Sequence, residues 1–302
     1  MNQSYIIFNP ISYEKTIYLQ KSIYLTNIQQ CRTFASSIKT MVNSDSEYNR
    51  LEWLCRYLLD ENPRYRQMPV PDSLQERRDL FRALMNVRPP MSVSEEFLRI
   101  QDEQLQAQLA EKGVVEIVEK ADKEIIEWQG DITRLKVDAI VNAANSQMLG
   151  CFVPLHRCID NAIHSASGVQ LRLACNEMMH GAEEPTGSAR ITPGFNLPAK
   201  NVIHTVGPIV TTARPLRQQE VQLASCYTSC LDLAHKYGLA SIAFCCISTG
   251  EFRFPNDLAC ETAVSSVRSW MVSHPDSSIK TVIFNTFKDI DHELYQNALT
   301  KG

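Results

Sequence analysis

The segment NAANSQMLGCFVPLHRCIDNAIH, residues 142–164, joins an apolar run typical of a buried strand (residues 137–141) to a pattern typical of a helix. Within it, Cys151, His156 and Cys158 follow the spacing C-x4-H-x-C. Two thiolates and one imidazole are ligands that zinc prefers. A structural zinc site is normally closed by four protein ligands, whereas a catalytic site keeps one position for water or substrate. Three local ligands therefore favour an open, catalytic zinc site.

Two alternatives remain open for this segment. A distant residue such as Cys175 or His164 would close the site and make it structural. Alternatively, the three residues are ordinary buried side chains without a metal, because the spacing is not that of a standard zinc finger.

The composition is that of an ordinary soluble globular protein, with 302 residues, 44% of them hydrophobic and 21% charged. A formal net charge of -4 argues against a nucleic-acid partner or an anionic membrane surface. No apolar run reaches the roughly 18 residues of a membrane span, and the N-terminus lacks the pattern of a secretory signal. Ten cysteines without a disulfide framework indicate a reducing compartment, so we expect a cytoplasmic protein.

The pattern along the chain predicts three regions. Residues 1–43 show no clear period and are expected to be a poorly ordered extension. Residues 44–113 contain three amphipathic stretches, which predict a helical segment docked on the main domain. Their predicted capping pairs are Ser44 with Glu47, Asp72 with Gln75, and Ser92 with Glu95.

Residues 114–302 alternate strand-like and helix-like runs, which predicts an α/β domain with a mostly parallel sheet. The predicted strands lie at residues 125–128, 137–141, 202–206, 242–247 and 281–284, and the predicted helices at 159–167, 169–179, 221–237, 257–271 and 289–299. Ligands of such sheets bind outside the carboxyl ends of the strands, so polar residues at those ends are candidate binding residues.

Three strand ends carry such residues. Asp131 follows Gly130 after the first predicted strand, where a carboxylate suits the recognition of an adenine amine. The turn at residues 248–250 (STG) presents consecutive N–H groups suited to phosphates, and the rings of Phe252 and Phe254 beyond it are placed to cover a ribose. Asn145 faces the metal-ligand segment and suits a sugar hydroxyl. Each signal alone is equally typical of ordinary turn chemistry.

Together these signals resemble a family. The runs GDITRLKVDAIVNAANSQMLG (130–150), VIHTVGP (202–208) and CISTGEFRFP (246–255) are similar to those of the macrodomain, the ADP-ribose-binding fold. Most hydrolytic macrodomains have a glycine-rich segment followed by V-D-G-A-I-H where this chain has GCFVPLHRCIDNAIH (150–164). That replacement, and a leader like RALMNVRPPMSVSEEFLRIQ (82–101), resemble the microbial zinc-dependent macrodomains, a branch of protein ADP-ribose hydrolases.

The resemblance covers about residues 45–302 and implies a three-layer α/β/α macrodomain with a mostly parallel central sheet, preceded by an α-helical segment. It implies a zinc-dependent hydrolase that removes mono-ADP-ribose from modified proteins, in particular from acidic side chains. The implied cofactor is Zn2+. The implied partners are ADP-ribose and a mono-ADP-ribosylated protein, for which this branch's association with lipoyl-carrier proteins suggests a target.

Carried over to this chain, the resemblance assigns zinc to Cys151, His156 and Cys158, and a catalytic role to Asp160 and Asn145. His164 is expected to be structural. Arg253 departs from the family, in which a glycine is usual. The implied ADP-ribose-binding residues are Asp131, Ile132, Asn145, Cys158, Ile159, Asp160, Ser248, Thr249, Gly250, Glu251 and Phe252.

Other classes of function remain open. The same pocket suits a non-catalytic ADP-ribose reader with a structural zinc site. A phosphatase that acts on an ADP-ribose phosphate, with zinc as a structural element, is a further alternative.

Overall fold

The computed structural model describes residues 47–117 and 124–300 of the chain. The extension predicted for residues 1–43 and the helix cap predicted at Ser44 lie outside the described residues. The three-region division of the chain therefore stays a prediction.

The helical segment predicted before the main domain consists of α1 (Glu47–Glu61), α2 (Leu74–Val87) and α3 (Glu95–Lys112). Their apolar faces bury Leu51, Leu54, Phe81 and Phe97 in a hydrophobic cluster, which also includes Val169 from the main domain. Because Val169 belongs to this cluster, the helical segment packs directly on the main domain.

Two of the predicted helix caps are wrong by one or two residues. Ser73, not Asp72, caps α2 and accepts a hydrogen bond from the backbone N–H of Glu76. Ser94, not Ser92, caps α3 and accepts from the N–H of Phe97. Asp72 and Ser73 are each followed three residues later by an amide or acidic side chain, so the pattern alone does not choose between them. Ser94 is followed by Phe97, so the capping-box pattern pointed to Ser92 instead.

The strands are β1 (Val115–Glu116), β2 (Glu124–Gln129), β3 (Leu135–Lys136), β4 (Ala139–Ala144), β5 (Ala189–Pro193), β6 (Asn201–Val206), β7 (Ser241–Phe244) and β8 (Thr281–Thr286). Six of them form the central sheet in the order β2-β8-β7-β4-β6-β5. Only β5 runs antiparallel to its neighbour within this sheet. The short strands β1 and β3 pair separately.

The differences from the predicted strands have local causes. β4 continues through Asn142 to Ala144, because the Asn142 side chain finds buried hydrogen-bond partners instead of making a turn. β7 ends at Phe244, since Cys246 already accepts a turn hydrogen bond from Thr249. The edge strand β5 has no clear alternation and ends in Pro193, a residue tolerated at sheet edges.

The helices of the main domain are α4 (Ile159–Ser167), α5 (Val169–Met179), α6 (Arg217–Lys236), α7 (Asn256–Ser273) and α8 (Asp289–Thr300). α4 packs on α5, β4 and α2, whereas α6, α7 and α8 pack in sequence on one another. The predicted α/β fold with a mostly parallel sheet is confirmed. Cys226 and Cys230 are buried in the main core, where they pack as small hydrophobic residues.

Among the described residues, no helix combines the length and the apolar character that crossing a bilayer requires.

The corrected cap of α3 gives a first prediction. Changing Ser94→Ala removes the acceptor for the Phe97 N–H and should lower the free energy of unfolding by about 1 kcal/mol. Ser92→Ala, at an exposed serine two residues earlier, is the matched control and should change it by less than about 0.5 kcal/mol. Urea unfolding of both variants measures the difference, and equal midpoints would contradict the assignment.

Candidate active site

One cleft of about 1300 Å³ lies at the carboxyl ends of the central strands and the neighbouring helices α2 and α3. All of the metal ligands, catalytic residues and ADP-ribose-binding residues that the family resemblance implied line this cleft. They are Asp131, Ile132, Asn145, Cys151, His156, Cys158, Ile159, Asp160, Ser248, Thr249, Gly250, Glu251 and Phe252. The parallel sheet therefore brings together residues that lie more than a hundred positions apart in the sequence.

The three predicted metal ligands converge between β4 and α4. The ligand atoms of Cys151, His156 and Cys158 all lie within 4.8 Å of one another. The Cys151 Sγ is 3.6 Å from the His156 Nδ1. The Cys158 Sγ caps α4 by accepting from the backbone N–H of Asn161 at 3.4 Å. This backbone hydrogen bond by itself acts to lower the pKa of Cys158.

The chemistry of this donor set fits zinc. A hydrogen bond from Cys158 lowers the pKa of the Cys151 thiol, and the pKa of Cys158 rises because it holds the shared proton. The His156 Nε2, which faces away from the thiols, lies 3.5 Å from the Glu251 Oε1. A carboxylate on the far nitrogen is the usual companion of a metal-ligating histidine.

The two residues considered as a fourth ligand belong to another group. His164, Cys175 and His204 form a separate, buried cluster with donor atoms that could also hold a metal. The His204 Nε2 in this cluster already lies 2.9 Å from the Thr192 Oγ1. The His164 ring lies against Gly150, at which an added Cβ would come within 2.8 Å of the ring. Neither residue therefore completes the group formed by Cys151, His156 and Cys158.

Asp160 lies in the first turn of α4 and is only 6% exposed. Its Oδ1 accepts a hydrogen bond from the Asn142 Nδ2 at 2.8 Å. Burial raises the pKa of Asp160 to about 7, although the hydrogen bond from Asn142 and the charge of Arg172 act in the opposite direction. A carboxyl group with such a pKa beside the three predicted metal ligands is suited to proton transfer.

Asp131 caps the short 3₁₀ turn Ile132–Arg134 after β2. Its Oδ1 accepts from the backbone N–H and the hydroxyl of Thr133, and its Oδ2 lies 3.2 Å from the Lys112 Nζ. Burial alone would raise the pKa of Asp131, but the hydrogen bonds from Thr133 and the charge of Lys112 lower it below its usual value. Asp131 is therefore an anionic acceptor at the edge of the cleft.

The turn after β7 also lines the cleft. Ser248 has a left-handed backbone with φ +67°, and its carbonyl accepts from the N–H of Phe254 at 3.0 Å. The backbone of Gly207 approaches so closely that an added Cβ would lie 2.1 Å from the Ser248 Oγ. The Ser248 Oγ and the Asn145 Oδ1 are buried and make no hydrogen bond among the described residues. Such atoms are acceptors available to a ligand.

The two aromatic residues beyond this turn, Phe252 and Phe254, lie in different environments. Phe252 lines the cleft, whereas Phe254 is only 1% exposed and belongs to the main core. The expectation that Phe254 covers a ribose is therefore wrong, because its side chain packs into the core beneath the turn.

Sequence reasoning missed several residues that hold the site. Arg82 and Asn86 of α2 form hydrogen bonds with the metal-ligand loop, residues 151–158. The buried Arg172 of α5 donates to the carbonyl of Leu149, just before this loop. All of these contacts join residues that lie far apart in the sequence, and no local motif predicts them. The one local signal was the spacing of Arg82 and Asn86, which are four residues apart and so share a face of α2.

This fold and this site define a macrodomain. Residues 141–263 match the family model of the Macro domain. A protein-ADP-ribose hydrolase from Treponema medium is 48% identical over 263 residues, which is 84% of this chain and 100% of that protein. A protein-ADP-ribose hydrolase from Staphylococcus aureus (strain MSSA476) is 45% identical over 258 residues, 83% of this chain and 96% of that protein. The chain belongs to the protein-ADP-ribose hydrolase family of macrodomains.

Solved structures of other macrodomains support this family assignment. An Oceanobacillus iheyensis macrodomain mutant with ADPR is 36% identical with a TM-score of 0.54, and the match covers 60% of this chain and 94% of that one. A Trypanosoma brucei macrodomain in complex with ADP is 29% identical with a TM-score of 0.55, and the match covers 74% of this chain and 96% of that one. The resemblance drawn from the sequence motifs is confirmed.

The contact between Gly207 and Ser248 gives a second prediction. Gly207→Ala should lower the free energy of unfolding by about 1–3 kcal/mol, because the new methyl group overlaps the Ser248 hydroxyl. Gly250→Ala, in the turn after β7 and with nothing within 4 Å of the added Cβ, should change it by less than about 0.5 kcal/mol. Thermal unfolding compares the two variants, and equal stabilities would show that the close approach does not restrict residue 207.

Proposed function

We propose that this protein is a zinc-dependent hydrolase that removes mono-ADP-ribose from modified proteins, in particular from acidic side chains. The observation that carries the proposal is the convergence of the Cys151, His156 and Cys158 ligand atoms in the cleft that also holds Asp160. The relatives that are 45–48% identical over most of the chain are named protein-ADP-ribose hydrolases.

The nucleotide part of the ligand is proposed to follow the strand ends. The Asp131 carboxylate accepts from the adenine amine, and the backbone N–H of Ile132 donates to the ring. The pyrophosphate lies along the turn at residues 248–252, whose backbone donors suit phosphate oxygens. Two observations support this placement: all these residues line one cleft, and two similar macrodomains were solved with ADPR and with ADP.

The distal ribose is proposed to lie between the 248–252 turn and the metal-ligand loop. The side chain of Asn145 holds it there, and its unpaired Oδ1 accepts from a ribose hydroxyl. The Asn145 Nδ2 already donates to the carbonyl of Gly150, so its orientation is set before the ligand binds. The backbone at Cys158 and Ile159, the first turn of α4, completes this end of the pocket.

Cys151, His156 and Cys158 would hold the zinc ion. When bound there, zinc supplies Lewis-acid character towards an oxygen of the ribose or of the linkage, or lowers the pKa of a water molecule. Free thiols suit a reducing compartment, and the described cysteines form no disulfide, so a cytoplasmic site of action is proposed.

Asp160 is proposed to move the proton. Its Oδ1 is held by Asn142, which leaves Oδ2 to take a proton from a water molecule or from a ribose hydroxyl. Its position two residues after Cys158 places this carboxylate beside the metal ligands. Because the carboxylate is rigidly held and shielded from solvent, it suits a general base better than a flexible surface acid.

The natural target is proposed to be a mono-ADP-ribosylated protein, with a lipoyl-carrier protein as the candidate suggested by the family resemblance. A reader without catalysis and a phosphatase with a structural zinc ion are the competing functions, and neither of them releases ADP-ribose from a modified protein.

The assay that tests the proposal follows the release of ADP-ribose from a protein mono-ADP-ribosylated on glutamate, with and without a zinc chelator. We expect release by the untreated protein, loss of release on chelation, and recovery on addition of zinc. Cys158→Ser should release ADP-ribose more slowly than the parent protein does after zinc has been added back, because the variant lacks one zinc ligand. A reader releases nothing under any condition. Chelation that lowers stability but leaves the rate unchanged would establish a structural metal.

A fourth prediction concerns Asp160. Asp160→Asn keeps the shape and the hydrogen bond to Asn142 but removes the proton acceptor, so the rate should fall by about 10²–10⁴-fold. Zinc content and ADP-ribose affinity, measured by metal analysis and calorimetry, should stay close to those of the parent. A rate within threefold of the parent, about 0.7 kcal/mol by the transition-state relation, would exclude Asp160 as the general base.

A further inference from the structure

The metal-ligand loop lacks regular structure of its own. Residues 151–158 contain neither helix nor strand, and Leu155 within them has a left-handed backbone with φ +55°. A branched residue in this conformation persists only where its surroundings hold it. Since metal ligation requires three side chains at defined positions, the contacts that hold this loop decide whether the ligands stay together.

Helix α2 supplies two of these contacts. The Arg82 Nη2 donates to the carbonyl of His156 at 3.2 Å and to the Asn161 Oδ1 at 2.7 Å. One turn later, the Asn86 Oδ1 accepts from the backbone N–H of the strained Leu155 at 3.0 Å. The Asn86 Nδ2 donates to the Ser165 Oγ of α4 at 2.9 Å, so Asn86 joins the loop to the main domain.

Asn161 carries the Arg82 contact to a ligand. It is fully buried, and its Nδ2 donates to the carbonyl of Val153 inside the loop at 3.0 Å. Its backbone N–H donates to the Cys158 Sγ. The guanidinium of Arg82 therefore holds the side-chain amide that binds the loop, in a residue whose backbone N–H also contacts the Cys158 sulfur.

The other end of the loop is also tied to α2. The buried Arg172 donates through Nη1 to the carbonyls of Met85 and Arg88, at the carboxyl end of α2. Its Nε donates to the carbonyl of Leu149, just before the loop, at 2.6 Å. The guanidinium also lies 4.3 Å from the centre of the Phe152 ring. Arg172 thus links the residue just before the loop to the carboxyl end of α2.

We propose that helix α2 is needed for metal binding. Arg82 and Asn86 are positioning residues that hold residues 151–158 in the conformation in which the three ligands can bind the metal. The inference rests on the proposed zinc site at Cys151, His156 and Cys158. It assigns a function to the helical segment, which contributes no ligand itself: removal of its loop contacts weakens metal binding before it affects the recognition of ADP-ribose.

The test measures zinc affinity by competition with a chromogenic chelator, in the full chain and at a temperature at which each variant is folded. Arg82→Met and Asn86→Ala should each weaken zinc binding by about 10–100-fold, the usual effect of residues that orient metal ligands. Hydrogen exchange in peptides covering residues 151–158 should become faster. ADP-ribose affinity should stay within about threefold of the parent.

Arg56→Met is the matched control. Arg56 lies in α1, bonds to the Glu52 Oε1 at 3.3 Å and to the carbonyl of Met68 at 3.1 Å, and does not line the cleft. Its loss removes a comparable set of contacts within the helical segment without touching the loop. We expect lower stability in this variant with unchanged zinc affinity and unchanged exchange of residues 151–158.

Arg82→Lys separates position from charge and serves also if Arg82→Met does not fold. Lysine keeps the positive charge near Cys158 but cannot reproduce the same donor geometry, so its zinc affinity should fall almost as far as that of Arg82→Met. Parent-like zinc affinity in Arg82→Lys or Asn86→Ala, while the parent binds zinc, would overturn the inference and leave the proposed function intact. A parent that binds no zinc would overturn both.

Discussion

The site depends on one buried amide. Asn142 lies in the middle of the central sheet, where its Nδ2 donates to the Asp160 Oδ1 and lies 3.2 Å from the His204 Nδ1 on the neighbouring strand. A buried polar group needs partners, and these are available only if α4 begins at the observed height above β4. The same constraint fixes the carboxylate of Asp160 and, one residue before α4, the thiolate of Cys158. Everything between β4 and α4 must then fit that fixed gap.

The segment between β4 and α4 is held in place by two parts of the structure. The sheet fixes its two ends, and helix α2 holds its irregular middle through Arg82 and Asn86. The helical segment and the main domain also share an apolar cluster, which Val169 joins. Because both the apolar packing and the polar contacts meet at α4 and α5, the helical segment and the metal-ligand loop are expected to respond together to any change in that interface.

Local signals made much of this predictable. The helices at 159–167 and 169–179 were predicted with the observed bounds, because a clear apolar period stops at Gly168, which has φ +94°. The metal-ligand triplet was visible because its members lie within eight positions. The extent of β4 was not, since Asn142 is a turn residue by type and a strand residue only through partners far along the chain. The roles of Arg82 and Asn86 could not be predicted for the same reason, because a contact between residues about seventy positions apart produces no periodic pattern in the sequence.

Under the proposed function, ligand binding and chemistry belong to different parts of the cleft. The turn at residues 248–252 and the cap at Asp131 offer backbone donors and an anionic acceptor, which depend on the sheet alone. The metal ligands depend on an irregular loop and on α2. The two parts meet where the Glu251 Oε1 lies 3.5 Å from the His156 Nε2. Under the proposed function, a ligand that orders the turn at Glu251 would also act on the orientation of His156 through this contact, which would couple ADP-ribose binding to the geometry of the metal ligands.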